Sequence, residues 1–402
     1  MRRFLSALTV LICTLALLAG LMHIDPFDFA CEAMDRLFGA PPKWTQVTNL
    51  YRNPLTQEVT HGDDPVSSLS VLKEYWHQRD GGQKVVFMGN SQMHAMSLAP
   101  GERPVTEPEK TYVDLVGDDL RLTNPNELPY RLSSSDMSYP EDFWELNYML
   151  DDPDLHPEIV VLQMNYQAFW TGGIRDSMLP MLRRPSFRKR MEGFAASGLP
   201  DASAYGDALR RYAQGRANDS ENPATNADST VTSVFNPHGT LGYDMETYVR
   251  ARLDRISPEQ RRGTLRESFE NVLYRGRLYL LQLKPSTARS ITGSRLLAAR
   301  SAVDSIAALC AANNVRLVLF QAPVNPNVSL YRTSADRESY HAFVSGVAAN
   351  YGAPLFDFEN SIGANLWGRM LNSPEPLHMG RTAHQQMAKQ LIGSMKSVLI
   401  QN

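Results

Sequence analysis

Cysteine is scarce in this chain. Three cysteines in 402 residues, Cys13, Cys31 and Cys310, exclude a disulfide-built scaffold, and no C-x-x-C or similar spacing offers a metal-ligand set. A single bridge between Cys31 and Cys310 is all that could form beyond the apolar N-terminus, and their spacing does not demand it. An excess of charge of one sign is also missing. Forty Lys and Arg stand against 43 Asp and Glu for a net charge of −3, which sets nucleic acid aside as a partner. The sequence has no internal repeats, no lipobox before Cys31 that would announce a lipid anchor, and no clear A-x-A cleavage site after its first apolar run.

That apolar run is the first feature present. Arg2 and Arg3 precede FLSALTVLICTLALLAGLM, a stretch without charge that is long enough to cross a bilayer, for which roughly 20 residues are needed at a rise of about 1.5 Å each. The two arginines hold the N-terminus in the cytoplasm by the positive-inside rule. Residues 1–24 therefore read as an uncleaved single-pass anchor in the inner (cytoplasmic) membrane, with the rest of the chain extracytoplasmic, or periplasmic. A cleaved signal peptide is the competing reading.

Residues 25–81 form a helical linker region around DFACEAMDRLF and SSLSVLKEYWHQR. From Gly82 onward, short apolar runs alternate with amphipathic ones, as in parallel strands with crossover helices. The runs are KVVFM (84–88), a weaker one ending at Leu132, EIVVLQM (158–164), VRLVLF (315–320) and PLFDF (354–358). Ser138 followed by Glu141 has the spacing of a capping box before EDFWELNYML. Apolar residues at helical spacing mark 290–312 and 382–399 as helices. The fold class is α/β: a flavodoxin-like three-layer α/β/α arrangement with a parallel sheet of about five strands. Its body is residues 82–165 and 291–402, interrupted by a long insertion, 166–290, that reads as a cap or lid with a polar loop over 215–240.

In an open parallel sheet, reactive groups collect beyond the carboxyl ends of the strands. Gly89-Asn90-Ser91 follows the first run, Asn165 the third, Asn325 the fourth and Glu375-Pro376-Leu377-His378 the fifth. Any one of these is an ordinary loop composition. Together they hold the groups that hydroxyl chemistry requires: Ser91 as nucleophile at the start of a helix, His378 as its base, Glu375 to orient the imidazole from the same turn, and Asn165 as a donor to the oxyanion. Gly89 allows a sharp turn. His94, one helical turn after Ser91, is a site-lining or helix-packing residue, and His384 sits on the surface of the last helix or lines the site. No metal or cofactor is called for. The run from Arg183 to Arg190 is a solvated face or, on a tethered domain, a contact for anionic headgroups or an acidic polymer.

These residues resemble the blocks of the SGNH (GDSL-like) hydrolase superfamily. Gly89-Asn90-Ser91 matches its G-D-S turn with Asn for Asp, Asn165 matches the Asn of its third block, and Glu375-Pro376-Leu377-His378 matches its D-x-x-H with Glu for Asp. The glycine of the second block has no counterpart. LSSSDMS stands in its place, and Ser135 is the candidate for the missing donor. With an N-terminal anchor and His378-Met379-Gly380, the chain is most similar to the membrane-anchored acyltransferase-type branch. That branch holds the D-alanyl transfer protein and the alginate and cellulose acetyltransferases. The resemblance implies acyl transfer, of an acetyl group for preference, to an envelope polysaccharide or glycolipid, with a membrane-bound O-acyltransferase as partner. Two alternatives stay open: a tethered carbohydrate or lipid esterase using the same residues, and a non-catalytic scaffold subunit of an envelope complex.

Overall fold

A computed structural model describes residues 50–52, 59–61, 65–79, 81–97, 99–102, 110–134, 137–169, 172–221, 293–370 and 373–399. The chain divides into two compact units. The larger comprises Lys43–Thr232, Ser286–Arg369 and Pro374–Asn402; of the smaller, Met1–Pro42, Ser233–Pro285 and Met370–Ser373, only Met370 and Ser373 are among the described residues. The proposed membrane anchor, the helix-like DFACEAMDRLF and the polar loop 215–240 beyond residue 221 lie outside the description. Among the described residues no helix is long and apolar enough to cross a membrane.

The larger unit is built on five parallel strands, β3 (Gln83–Asn90), β4 (Glu127–Ser134), β5 (Ile159–Met164), β6 (Arg316–Gln321) and β7 (Leu355–Asp357). All five runs expected from the sequence are strands; the inner three, β3, β5 and β6, carry the β-branched and aromatic runs and are buried almost throughout, whereas the edge strand β7 is only partly buried. Alternate residues go to opposite sides: Val86, Met88, Val160, Leu162 and Leu319 join one core cluster, Val85, Phe87, Val161, Val318 and Phe320 the other. One layer holds helices α1 (Pro65–His77), α3 (Tyr139–Leu150), α6 (Gly293–Ala312) and α7 (Ser334–Tyr351); the other holds α2 (Tyr112–Thr123) and α8 (Arg381–Leu399). The capping box is present, with the Ser138 N–H donating to Glu141 Oε2 at 3.0 Å.

The sheet order is β4-β3-β5-β6-β7, so the chain steps from β3 outward to β4 and then returns past β3 to β5. This is the flavodoxin-like order, and its switch point lies between the carboxyl ends of β3 and β5. Met88 and Leu162 are the last pair of the β3–β5 register, and Ser91 and Asn165 each follow three residues on, past the two strand ends. A short hairpin, β1 (Leu50–Arg52) and β2 (Val59–His61), precedes the sheet, and β8 (Trp367–Met370) pairs with β9 (Ser373–Met379) after it.

Two expected boundaries shift. Helix α1, assigned to the linker on sequence, belongs to the core: Leu69, Leu72, Tyr75 and Trp76 are buried and Trp76 Nε1 donates to the Leu128 carbonyl at 3.0 Å. The described part of the 166–290 insertion is likewise core-bound. It contains α4 (Pro185–Ala195) and α5 (Ala202–Glu221), and Met178, Leu182, Phe187, Met191 and Tyr205 share the α3 side of the sheet. The basic run starts α4 with much of its charge paired. Arg184 reaches Asp152 at 3.0 Å and lies 4.0 Å over the Tyr148 ring, and Arg190 reaches Asp151 at 2.9 Å.

Candidate active site

β3 delivers its last residues into a site at the switch point. Gly89 remains inside the strand rather than making the turn assigned to it, and its lack of a side chain serves close approach: a Cβ there would lie 2.6 Å from Gln163 Oε1 and 2.7 Å from Gln163 Cβ. Gln163 Oε1 thereby reaches the Asn90 N–H at 3.1 Å. The Asn90 side chain accepts from the Gln92 N–H at 3.1 Å and opens a single 3₁₀ turn, Ser91–Met93. Ser91 therefore does not start an α-helix, as its sequence context suggests, and no long helix dipole stands behind it. Instead the chain straightens after His94, drawn out by the Ser97 N–H, which donates to the Met379 carbonyl at 2.9 Å.

That pairing brings in the base. Ser91 Oγ and His378 Nε2 are 3.0 Å apart although 287 residues separate them in sequence. His378 is on β9 and is held from behind by the Ser97 hydroxyl, which donates to its carbonyl at 2.6 Å. Two residues on, Gly380 packs so closely that a Cβ would lie 2.6 Å from Ala99 Cβ and 2.7 Å from Glu102 Oε2. Glu102 caps the first turn of α8, accepting from the N–H groups of Arg381 and Thr382 at 3.1 and 3.0 Å, and also from the Ala99 N–H at 3.1 Å. Burial opposes its charge, but the backbone hydrogen bonds from Thr382, Ala99 and Arg381 outweigh it and leave the carboxyl below the ordinary range.

Glu375 also lies on β9, so the segment it shares with His378 is a strand and not the turn expected; its side chain is outside the described residues. So are Ser135 and Asp136 in the stretch that stands for the second block. Asn165 is 5% exposed. Its Oδ1 accepts from the Gln167 N–H at 2.9 Å and its Nδ2 donates to Gln92 Oε1 at 3.2 Å.

The remaining candidates are brought near but placed in the interior. Asn90 closes the turn under Ser91. Asn325 is fully buried and accepts from the Asn327 N–H at 2.9 Å, which structures the loop after β6. His384 is not on the surface of α8. It is fully buried, accepts at Nδ1 from the Tyr112 N–H at 3.0 Å and stacks on the Tyr112 ring at 5.5 Å. Burial draws its pKa down to about 4. His94 Nδ1 is 2.9 Å from Ser133 Oγ. Burial first, then the charge of Arg131, His378 and Arg175, holds this imidazole well below its ordinary range, so it is a neutral group beside the site.

Sequence reasoning missed the residues that join these parts. Gln163 Nε2 donates to Gln92 Oε1 at 2.9 Å and to the Tyr112 hydroxyl at 3.0 Å, and Gln92 Nε2 donates to the Pro323 carbonyl at 2.8 Å. Gln163 had a signal, since it is a lone amide in the otherwise apolar IVVLQM. Gln92 and Arg131 carried none, and Ser133 only its place in the polar LSSSDMS stretch after the second run. Among the described residues no group of three or more His, Cys, Asp or Glu is placed to hold a metal ion.

No protein-family model matches the chain, and no curated protein matches it. Among solved structures it is similar to LAE5, an α/β hydrolase enzyme from the metagenome of Lake Arreo, Spain, over 78% of this chain and 94% of that one, with 11% identity and a TM-score of 0.36. A likeness at that level supports no inference about chemistry.

Proposed function

We propose that the protein is a serine acyl-transfer enzyme in which Ser91 is acylated and the acyl group then passes to a hydroxyl. The observation that carries this reading is the Ser91–His378 contact of 3.0 Å at the topological switch point of an open parallel sheet. With the proton of His378 on Nδ1, Nε2 accepts the Ser91 proton as Oγ attacks an ester carbonyl, and returns it to the departing alcohol. Asn165, which like Ser91 follows the Met88–Leu162 pair by three residues, is in this reading the side-chain donor to the oxyanion. A second hydroxyl, activated by the same imidazole, then releases the acyl group.

The acceptor in this proposal is a sugar or lipid hydroxyl of the cell envelope, and a partner membrane-bound O-acyltransferase delivers the acyl group as the ester that Ser91 attacks. Support comes from the uncharged N-terminal run behind Arg2 and Arg3, which would tether the domain outside the cytoplasm. The low exposure of Ser91, 6%, also suits transfer over hydrolysis, because an acyl-serine shielded from water waits for a positioned acceptor.

The test uses the full chain in detergent with a fluorophosphonate probe and p-nitrophenyl acetate, beside Ser91→Ala and His378→Ala. The expected result is probe labelling with slow ester turnover in the wild type and neither in the variants. Rapid turnover with water would make the protein an esterase. A wild type that is neither labelled nor acylated overturns the enzymatic reading and leaves the scaffold.

A further inference from the structure

Gln92 follows the candidate nucleophile, is fully buried, and joins three strand ends. Its Oε1 accepts from Gln163 Nε2 at 2.9 Å and from Asn165 Nδ2 at 3.2 Å, while its Nε2 donates to the Pro323 carbonyl at 2.8 Å. Both ends of this amide are thus fixed, because a carbonyl accepts only and the other contacts need an acceptor. The Asn165 amide is fixed in turn. A backbone N–H, from Gln167, can only donate, so the oxygen of Asn165 faces it at 2.9 Å and the nitrogen faces Gln92.

An amide nitrogen carries two hydrogens. Gln92 takes one from Asn165 Nδ2, which leaves the second with a set direction. We infer that Gln92 is a positioning residue: it aims the Asn165 amide so that one N–H is ready for the oxyanion before substrate arrives. This rests on the acyl-serine reading above. The physical gain is preorganisation, since a donor already locked by two hydrogen bonds need not reorient as charge develops. It also explains why Gly89 lacks a side chain. Any Cβ there would push Gln163, and Gln163 shares the Gln92 oxygen with Asn165.

The test compares Gln92→Met, which keeps length but has no acceptor, with Asn165→Ala and the double variant, all as full chains. Asn165→Ala is expected to slow fluorophosphonate labelling by about 10²-fold, the usual effect of losing one such donor. Gln92→Met should slow it by roughly tenfold through misalignment, and the double variant should be no slower than Asn165→Ala alone. Effects that multiply in the double variant, or a Gln92→Met rate equal to wild type, overturn the inference. A wild type that is not labelled instead defeats the acyl-serine reading. The role of Gln92 is then still read from crystal structures of the variants. Asn165 should leave its conformation in Gln92→Met and keep it in Gln92→Glu, which retains an acceptor oxygen. An Asn165 that stays in place without Gln92 shows that the amide is held by Gln167 alone.

Discussion

Two serine–histidine pairs lie side by side at the carboxyl ends of β3 and β4. Ser91 and His378 are 3.0 Å apart, Ser133 and His94 2.9 Å. Distance does not distinguish them, but surroundings do. His94 is 1% exposed, and the guanidinium of Arg131 donates to Ser133 Oγ at 3.3 Å. Burial first, and then that positive charge, makes a proton on His94 costly, which disfavours it as a base for Ser133. His378 is only partly buried, on a hairpin strand outside the main sheet. Both serines have an imidazole within hydrogen-bond reach, as a general base requires; the pairs differ in that Ser91 meets a partly buried histidine and Ser133 a fully buried one beside a guanidinium.

The sharpest way to break this comparison is to exchange the serines' fates. Ser91→Ala should abolish probe labelling and lower ester turnover by about 10⁴-fold or more, the scale of losing a nucleophile. Ser133→Ala should leave labelling within a few-fold of wild type. Labelling that survives in the first variant and fails in the second would reverse the assignment.

The next effect is on stability. The folded-state pKa of His384, about 4, lies below its ordinary value of 6.5. The unfolded chain therefore binds the extra proton between those values. The stability held above pH 6.5 is lost as pH falls toward 4, on the order of 3 kcal/mol at about 1.4 kcal/mol per unit. Asp142 and Glu145 work in the opposite sense, since burial first of all raises both carboxyls, Glu145 to about 8. The readout is thus a difference: in urea melts at pH 7 and 4.5, His384→Gln should lose less stability on acidification than wild type does.

Smaller effects test how each pair is held. Gly89→Ala drives a Cβ into Gln163 and should destabilise by roughly 1–3 kcal/mol while slowing labelling, because the same amide supports Asn90 and Gln92. Unchanged thermal stability would show that Gln163 moves aside freely. Glu102→Gln weakens the cap of α8 beneath His378 and should lower stability by about 1 kcal/mol, with labelling slowed only a few-fold. If its loss matched that of Ser91→Ala in activity, Glu102 would belong to the chemistry and not to the scaffold.

Much of this was legible in the sequence. Each of the five strands is a local apolar run with a turn signal after it, and the start of α3 is written in Ser138 and Glu141. The candidate site was legible only as a sequence of polar residues past strand ends. It was misread where local pattern and long-range contact disagree. The stretch after Ser91 looks helical, yet the pairing of Ser97 with Met379 draws it out straight. His384 occupies a helix that is polar by composition, yet the packing of α8 on α2 turns that imidazole inward.

The sequence by itself determined the five strands of the main sheet, their chain order and the positions of Ser91, Asn165 and His378 after them, because periodicity and turn chemistry act over a few residues. Only the tertiary structure decided which histidine meets which serine. His94 is three residues from Ser91 yet reaches Ser133, while His378 crosses 287 residues to reach Ser91. Those partners are fixed by the strand order β4-β3-β5-β6-β7 and by the hairpin of β8 and β9, and the neutrality of His94 first of all by burial. Sheet order and burial are properties of the packed chain, and no local stretch carries them.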